Sequence, residues 1–330
     1  MAGERLDMDL QSILETMKWE LAVIDQQVSH ALQARHPVLA EPLSHLGKTR
    51  GKKLRALLVY AAAELGSYQI DHLVRAAAAV EMLHLASLVH DDILDDSEVR
   101  RGVATLNRRW DTCTALLTGD FLYARCFSVL HPLGNEVMNV LLETIVNMVE
   151  GELRQLACRE KLDTGVEEYL AIIKAKTASF LSACCHIGGL VGGLKPEAVS
   201  ALRAYGENLG IAFQLRDDIL DYAIPGPHWN KPRGDDLRRG IMTLPLITYL
   251  REGGDNVKPH LQRLWQDSNL EPSVINHLCD DIQASGVLAR CTEWVDYYLQ
   301  QALSHLDSLP PAPVLRQVAT SLHLEPAHVS

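Results

Sequence analysis

The same five residue types, Asp-Asp-Ile-Leu-Asp, occur at Asp91–Asp95 and again at Asp217–Asp221, each time closing an apolar run with helical spacing. On a helix, Asp91 and Asp95 lie about 40° apart on one face. Like charges at that spacing repel and weaken the helix that carries them. A hard, oxygen-seeking cation such as Mg²⁺ offsets the repulsion. One acidic helix end is commonly just solvated, whereas two identical copies at the ends of two apolar helices demand a shared explanation. If the two ends meet, four to six carboxylates face one gap, a costly cluster unless cations fill it. Roughly two or three Mg²⁺ ions would leave positive charge suited to a diphosphate.

The rest of the chain reads as helix. Leu10, Ile13, Leu14, Met17, Leu21 and Ile24 form an apolar stripe at helical spacing. Further helices are expected near 52–66, 70–96, 111–131, 134–160, 166–176, 178–193, 196–222, 240–252, 257–267, 271–284, 287–307 and 313–323. Gly51, Gly66, Gly102, Gly165, Pro196 and Pro310-Pro311 punctuate them. Period-two alternation is scarce and aromatics are only 5% of residues, so the fold class is all-α. No linker divides the 330 residues, and a single domain over 1–330 is expected. The longest loop, Ile224 to Arg239, comes directly after the second aspartate repeat and is expected to act as a mobile lid.

Charge and composition exclude some functions. The net charge of −11 argues against nucleic acid as a partner. Seven cysteines without a CxxC pair fit a reduced cytoplasmic chain. MAGERLDMDL has no apolar core, so no secretory signal is expected there. The most apolar stretch, Phe180 to Leu194, is about four residues short of a membrane-spanning helix, and none is expected.

Cationic groups accompany both repeats. Arg100 and Arg101 come just after the first. Lys52, Lys53 and Arg55 come after Gly51, and Lys174 and Lys176 precede Thr177. Gln214 stands three residues before Asp217, and His84 two helical turns before Asp91, each on the face of its aspartate. Together with Mg²⁺ this is a phosphate-binding set.

In this order the motifs resemble those of the trans-isoprenyl (polyprenyl) diphosphate synthases. They are EMLHLASLVHDDILD at 81–95, RRG at 100–102, KTA at 176–178, FQLRDDILD at 213–221, KPRGDDL at 231–237 and TLP at 243–245. The resemblance implies an isoprenoid-synthase helical bundle around a deep central cavity. It implies Mg²⁺ held by Asp91, Asp95 and Asp217, with Asp221 nearby. It further implies an allylic diphosphate held by Arg100, Lys176, Thr177, Gln214 and Lys231, and isopentenyl diphosphate held by Lys52, Arg55, His84 and Arg101. Loss of the allylic diphosphate, attack by the isopentenyl double bond and loss of a proton would lengthen the chain by one five-carbon unit.

Three positions depart from the family pattern: Arg50 for glycine, Ala56 for proline, and Ile241 for a lysine that touches diphosphate. Catalytic subunits of heptaprenyl type are similar in lacking that lysine. Ser87 and Ala86, four and five residues before Asp91, are small where short-chain members carry an aromatic ring. A product of about C30–C40, longer than geranylgeranyl, is therefore expected, for a quinone side chain. The segment looks most like the catalytic subunit of hexaprenyl or heptaprenyl synthases, working as a homodimer or with a small partner subunit. A shorter-chain synthase, a terpene cyclase, a non-catalytic partner subunit and a metal-binding structural protein are the competing readings. Membrane contact is expected only in passing, for release of a lipid product.

Overall fold

Ala76, Ala77, Ala78 and Ala79 are all fully buried, as are Leu73, Val80, Met82, Leu83 and Ala86 on the same helix. A helix apolar on every side belongs in the middle of a bundle, and Ile70–Leu94 sits there. The computed structural model describes residues 17–34, 36–47, 51, 53–223, 233–253, 257–266 and 272–324.

The helices run in order α1 Lys18–Ala31, α2 Pro37–Leu46, α3 Leu54–Ala63, α4 Ile70–Leu94, α5 Leu106–Arg109 and α6 Thr112–Leu130. They continue as α7 Asn135–Cys158, α8 Val166–Ile173, α9 Ser179–Val191, α10 Pro196–Tyr222, α11 Asp235–Arg238 and α12 Leu244–Arg251. The last four are α13 Lys258–Gln266, α14 Pro272–Ala284, α15 Val287–His305 and α16 Pro313–Thr320. Helix α4 packs on α6, α3 and α1, while α10 packs on α9 and α15. One connected core runs from Met17 to Leu322. The all-α expectation holds, with one two-stranded exception among the described residues.

That exception is a hairpin of β1 Val99–Arg100 and β2 Val103–Ala104, antiparallel, with Arg100 opposite Val103. Its two turn residues, Arg101 and Gly102, have φ of 53° and 77°. Positive φ at both positions is the type I′ geometry that matches strand twist. Glycine takes it freely, whereas Arg101 holds a conformation costly for a side-chain-bearing residue.

The break expected near Thr177 is absent. Helices α8 and α9 are joined through a single π turn, Lys174–Ala178. No proline or glycine lies between Val166 and Ile187 to stop the helix, so the extra residue is absorbed as a bulge. The turn is clasped from two sides. A Cβ on Gly151 of α7 would come within 2.7 Å of the Lys176 backbone nitrogen, and one on Gly210 of α10 within 2.5 Å of the Ala178 Cα. Only glycine permits those approaches.

Continuity through the π turn also overturns the apolar-length reading. Ile70–Leu94, Thr112–Leu133 and Val166–Val191 are each long and apolar enough to cross a membrane. Burial inside the bundle accounts for much of the first and third, 67% and 56% of their most apolar windows, but for only 33% of the second. The expected helix at 240–252 starts later, at Leu244, and α2, α5 and α11 form where loops were expected. Arg50 and the start of the first apolar stripe, Leu10 to Leu14, lie outside the described residues.

Candidate active site

Both aspartate repeats end their helices, α4 and α10, where the helix dipole is negative. The unfavourable charge is thus placed twice at the worst end. Both ends open onto one cavity of about 500 Å³. Asp91 and Asp95 line it from α4, Asp217 and Asp218 from α10. Between the two walls lies the π turn, which contributes Lys176 and Thr177.

The α4 wall obeys helical geometry. His84, Ser87, Leu88, Asp91, Leu94 and Asp95 line the cavity at the three- and four-residue spacing of one face, and His90, one residue off that spacing, lines it too. Ala86 is fully buried in the core and is not part of that wall. Five residues are about 140° beyond a full turn, so Ala86 points elsewhere. Of the two expected chain-length positions, Ser87 is the one that meets the cavity.

Three of the cavity's cations have carboxylate partners. Arg100 Nε donates to Asp92 Oδ1 at 2.8 Å. Lys176 Nζ lies 2.5 Å from Glu152 Oε2 on α7. Burial alone would lower the Lys176 ammonium, but Glu152 and Asp91 outweigh it and hold the group above its usual value. Burial pushes the Asp91 carboxyl up to about 6, with Glu152 and Asp95 adding to it against Lys176. Arg239 Nη1 is 2.5 Å from Asp95 Oδ2.

A buried polar network supports the α10 wall. Tyr169 donates to Asp218 Oδ2 at 2.6 Å, and Gln214 Nε2 donates to Asp218 Oδ1 at 2.7 Å. Thr177 Oγ1 in turn donates to Gln214 Oε1 at 2.8 Å. Asp218 is therefore a scaffold that orients Gln214 and Thr177. Burial, reinforced by Asp236, holds it above the usual carboxylate value.

Asp221 is drawn into the fold as well. It is buried, accepts from the Asp236 amide at 3.0 Å, and does not line the cavity. The Asp235–Arg238 turn, expected as part of a lid, folds back on it. Arg233 at the head of that segment donates to the Tyr222 carbonyl at 2.8 Å and to Gln283 at 2.8 Å. The described part of the expected lid is thus anchored. Residues 224–232 lie outside the described residues, and with them Lys231; so does Lys52.

A second cationic region adjoins the first. Arg55 and His84 reach the main cavity, while Arg101, His84, Lys53 and Glu81 line a small pocket beside it. The I′ turn thus sends Arg100 and Arg101 to different compartments. Arg55 stacks 4.9 Å from the Phe180 ring centre. Its Nε is buried without a hydrogen-bond partner, and burial lowers its pKa. A buried donor with no acceptor marks a place for an anion. Burial also drives the His84 imidazole well below its usual value, with Arg55 and Arg101 adding to the shift, so the ring is neutral.

Oxygen donors on Asp91, Asp95 and Asp217 suit a hard divalent cation. Among the described residues no three His, Cys, Asp or Glu side chains form a ready-made metal cluster. The carboxylates stand on two walls instead, an arrangement that suits a divalent ion bound through one or two carboxylates, its shell completed by water and phosphate oxygens.

Residues 36–282 match the Polyprenyl synthetase family. The chain belongs to that family. This polyprenyl synthetase has the family's all-α isoprenoid-synthase fold and is a prenyl-transferring enzyme acting on prenyl diphosphates with divalent metal. It is 33% identical to heptaprenyl diphosphate synthase component 2 of Geobacillus stearothermophilus, over 92% of this chain and 94% of that protein. It is 31% identical to octaprenyl diphosphate synthase of Escherichia coli, over 93% of this chain and 95% of that protein. A polyprenyl synthase of Caulobacter crescentus, solved with calcium and isoprenyl diphosphate, superposes with a TM-score of 0.90 at 30% identity, covering 96% and 98% of the two chains.

Sequence reasoning missed Glu152, Tyr169, Tyr123 and Arg239, all on the cavity wall. Glu152 and Tyr169 sit in ordinary amphipathic helices, where nothing in their spacing sets them apart. Arg239 was visible only as part of a charged loop.

Proposed function

We propose that this polyprenyl synthetase condenses an allylic diphosphate with isopentenyl diphosphate to give an all-trans product of about C30–C40. The observation that carries this reading is that both aspartate repeats open onto one cavity that Arg55 also lines, its Nε buried without a hydrogen-bond partner. One cavity then offers two anion sites a short distance apart.

In this reading Asp91 and Asp95 face Asp217 across the allylic diphosphate, with Arg100, Lys176, Thr177 and Gln214 around it. Asp91, Asp95 and Asp217 would hold roughly two or three Mg²⁺ ions, which would supply charge neutralisation for the departing diphosphate. Lys176, held charged by Glu152, adds a fixed cation at the same place. Arg55, neutral His84 and Arg101 hold the isopentenyl diphosphate so that its double bond lies against the allylic carbon. The allylic C–O bond breaks and its electron pair leaves with the diphosphate. The double bond attacks the resulting carbocation, and the proton lost from the adduct passes to the released diphosphate. Leu88, Met148 and Phe213 on the cavity wall keep water from the cation.

Chain length rests on Ser87, a small residue where the growing product leaves Asp91. The relatives named heptaprenyl and octaprenyl synthase support a long product, and a quinone side chain is its proposed destination. Purified chain incubated with Mg²⁺, farnesyl diphosphate and labelled isopentenyl diphosphate should yield products beyond twenty carbons. Termination at twenty would overturn the length assignment, and Ser87→Phe should shorten the product.

An apolar face on α6 and α7 supports a partner chain. Leu116, Leu117, Leu142, Val146, Val149 and Leu153 are all exposed there, and Val149 and Leu153 also line the cavity. A patch of this kind marks an interface, and a second chain seated on it would close the cavity wall. The mass of the active species in solution tests this: a dimer of this chain is expected, and activity only after a second protein is added would identify a two-component enzyme. The proposed setting is the cytoplasm, supported by seven free thiols.

A further inference from the structure

Arg239 has a place in the cavity that no part of the reaction has used. It comes directly after α11, and its guanidinium reaches two carboxylates. Nη1 lies 2.5 Å from Asp95 and Nη2 lies 3.1 Å from Asp235. Its backbone is fixed: the Arg239 carbonyl accepts from Arg159 Nε at 2.5 Å, and the neighbouring Gly240 carbonyl accepts from the Glu160 amide at 2.8 Å. The side chain is half-buried and lines the cavity, whereas Ile241, two residues on, lines it as an apolar residue. Arg239 is therefore the cation that the segment after α11 supplies to the site.

Its two partners differ. Asp235 stands on the same turn as Arg239. Asp95 is on the opposite wall, at the free end of the first repeat, and is a candidate metal ligand. Unlike Arg100, whose partner Asp92 is buried, Arg239 occupies a carboxylate that a metal would need. A partly exposed ion pair of this kind is weak and readily exchanged.

We infer that Arg239 is an internal counter-ion for Asp95 that changes partner when substrate binds. In the ligand-free chain its guanidinium occupies Asp95 and so disfavours metal there. When a diphosphate and divalent metal enter together, the metal takes Asp95. The guanidinium, still tethered to Asp235, then turns onto a diphosphate oxygen. Metal and diphosphate consequently bind with positive coupling, and neither binds as well alone. This rests on the reading that the two repeats hold metal around a diphosphate.

Titration calorimetry with Mn²⁺ and with inorganic diphosphate, on wild type, Arg239→Gln, Asp95→Asn and the double variant, tests the exchange. Without diphosphate, Arg239→Gln should bind Mn²⁺ more tightly than wild type, by about fivefold or more. With Mn²⁺ present it should bind diphosphate more weakly by a similar factor, and Arg239→Lys should recover part of that loss. In the Asp95→Asn background the Arg239→Gln change should leave Mn²⁺ affinity unaltered. Equal or weaker Mn²⁺ binding by Arg239→Gln, in a wild type that binds Mn²⁺ and diphosphate normally, overturns the inference alone. A wild type that fails to bind Mn²⁺ even with diphosphate overturns the metal reading, and the inference with it.

Discussion

The two Asp-Asp-Ile-Leu-Asp copies are identical in sequence and are used differently. In the first copy Asp91 and Asp95 face the cavity, and Asp92 turns away to hold Arg100. In the second, Asp217 faces the cavity and Asp218 orients Gln214, while Asp221 is buried against the Asp236 amide. The chain beyond each helix causes the difference. After α4 it leaves in a hairpin, so Asp95 stays at the open mouth. After α10 the Asp235–Arg238 turn comes back and covers Asp221. The third aspartate of a repeat stays open to the cavity only where the chain beyond it moves aside.

Substitution of those third aspartates gives the largest contrast. Asp95→Asn should lower kcat/KM by about a hundredfold or more, as expected when a charge is lost from transition-state stabilisation. Asp221→Asn, which keeps an acceptor for the Asp236 amide, should cost less than about tenfold and register mainly in Tm. Steady-state kinetics showing equal losses would erase the distinction between the copies.

The second aspartates come next. Asp92 is held by a cation, Asp218 by two neutral donors. Tyr169→Phe removes one of those donors from a buried carboxylate and should destabilise the fold by about 1–3 kcal/mol in urea titrations. A variant as stable as wild type would show that the Tyr169 contact contributes nothing.

The upstream surroundings differ too. Seven residues before the first copy stands His84, and seven before the second stands Gly210, packed on Ala178 of the π turn. Gly210→Ala improves helix propensity by up to about 1 kcal/mol but overpacks the site by about 1–3. A net loss of about 1 kcal/mol is expected, with a raised KM for the allylic diphosphate because Lys176 and Thr177 move. An unchanged KM would disconnect the clasp from substrate binding.

The smallest effect is one of pH. His84 has a folded pKa well below its unfolded value of about 6.5. The unfolded chain therefore binds more protons at His84 over the interval between those two values. Stability rises with pH up to about 6.5 and is lost as pH falls through the window. His84→Gln should flatten that acid limb in thermal melts taken from pH 5 to 7. An equally steep limb would assign it to other groups.

Much of the site was readable in residue order. Asp91, Asp95, Asp217, Arg55, His84, Arg100, Lys176, Thr177 and Gln214 all meet at the cavity. Ala86 did not, because a five-residue step turns a helix past the wall. Asp221 did not, because a segment fourteen residues further on covers it. The roles of Glu152, Tyr169 and Arg239 were hidden for the same reason: each matters through a partner distant in sequence, Lys176, Asp218 and Asp95 respectively.

The helices, their apolar faces and the placing of an acidic repeat at two helix ends come from local spacing and caps, since a 3.6-residue period is a property of neighbours along the chain. The partners of each carboxylate were decided only by packing. Which aspartates stay open, which cations are held in reserve and how far the product wall extends depend on elements brought together from both halves of the chain. An electrostatic partner is chosen by distance in space, on which one-dimensional order is silent.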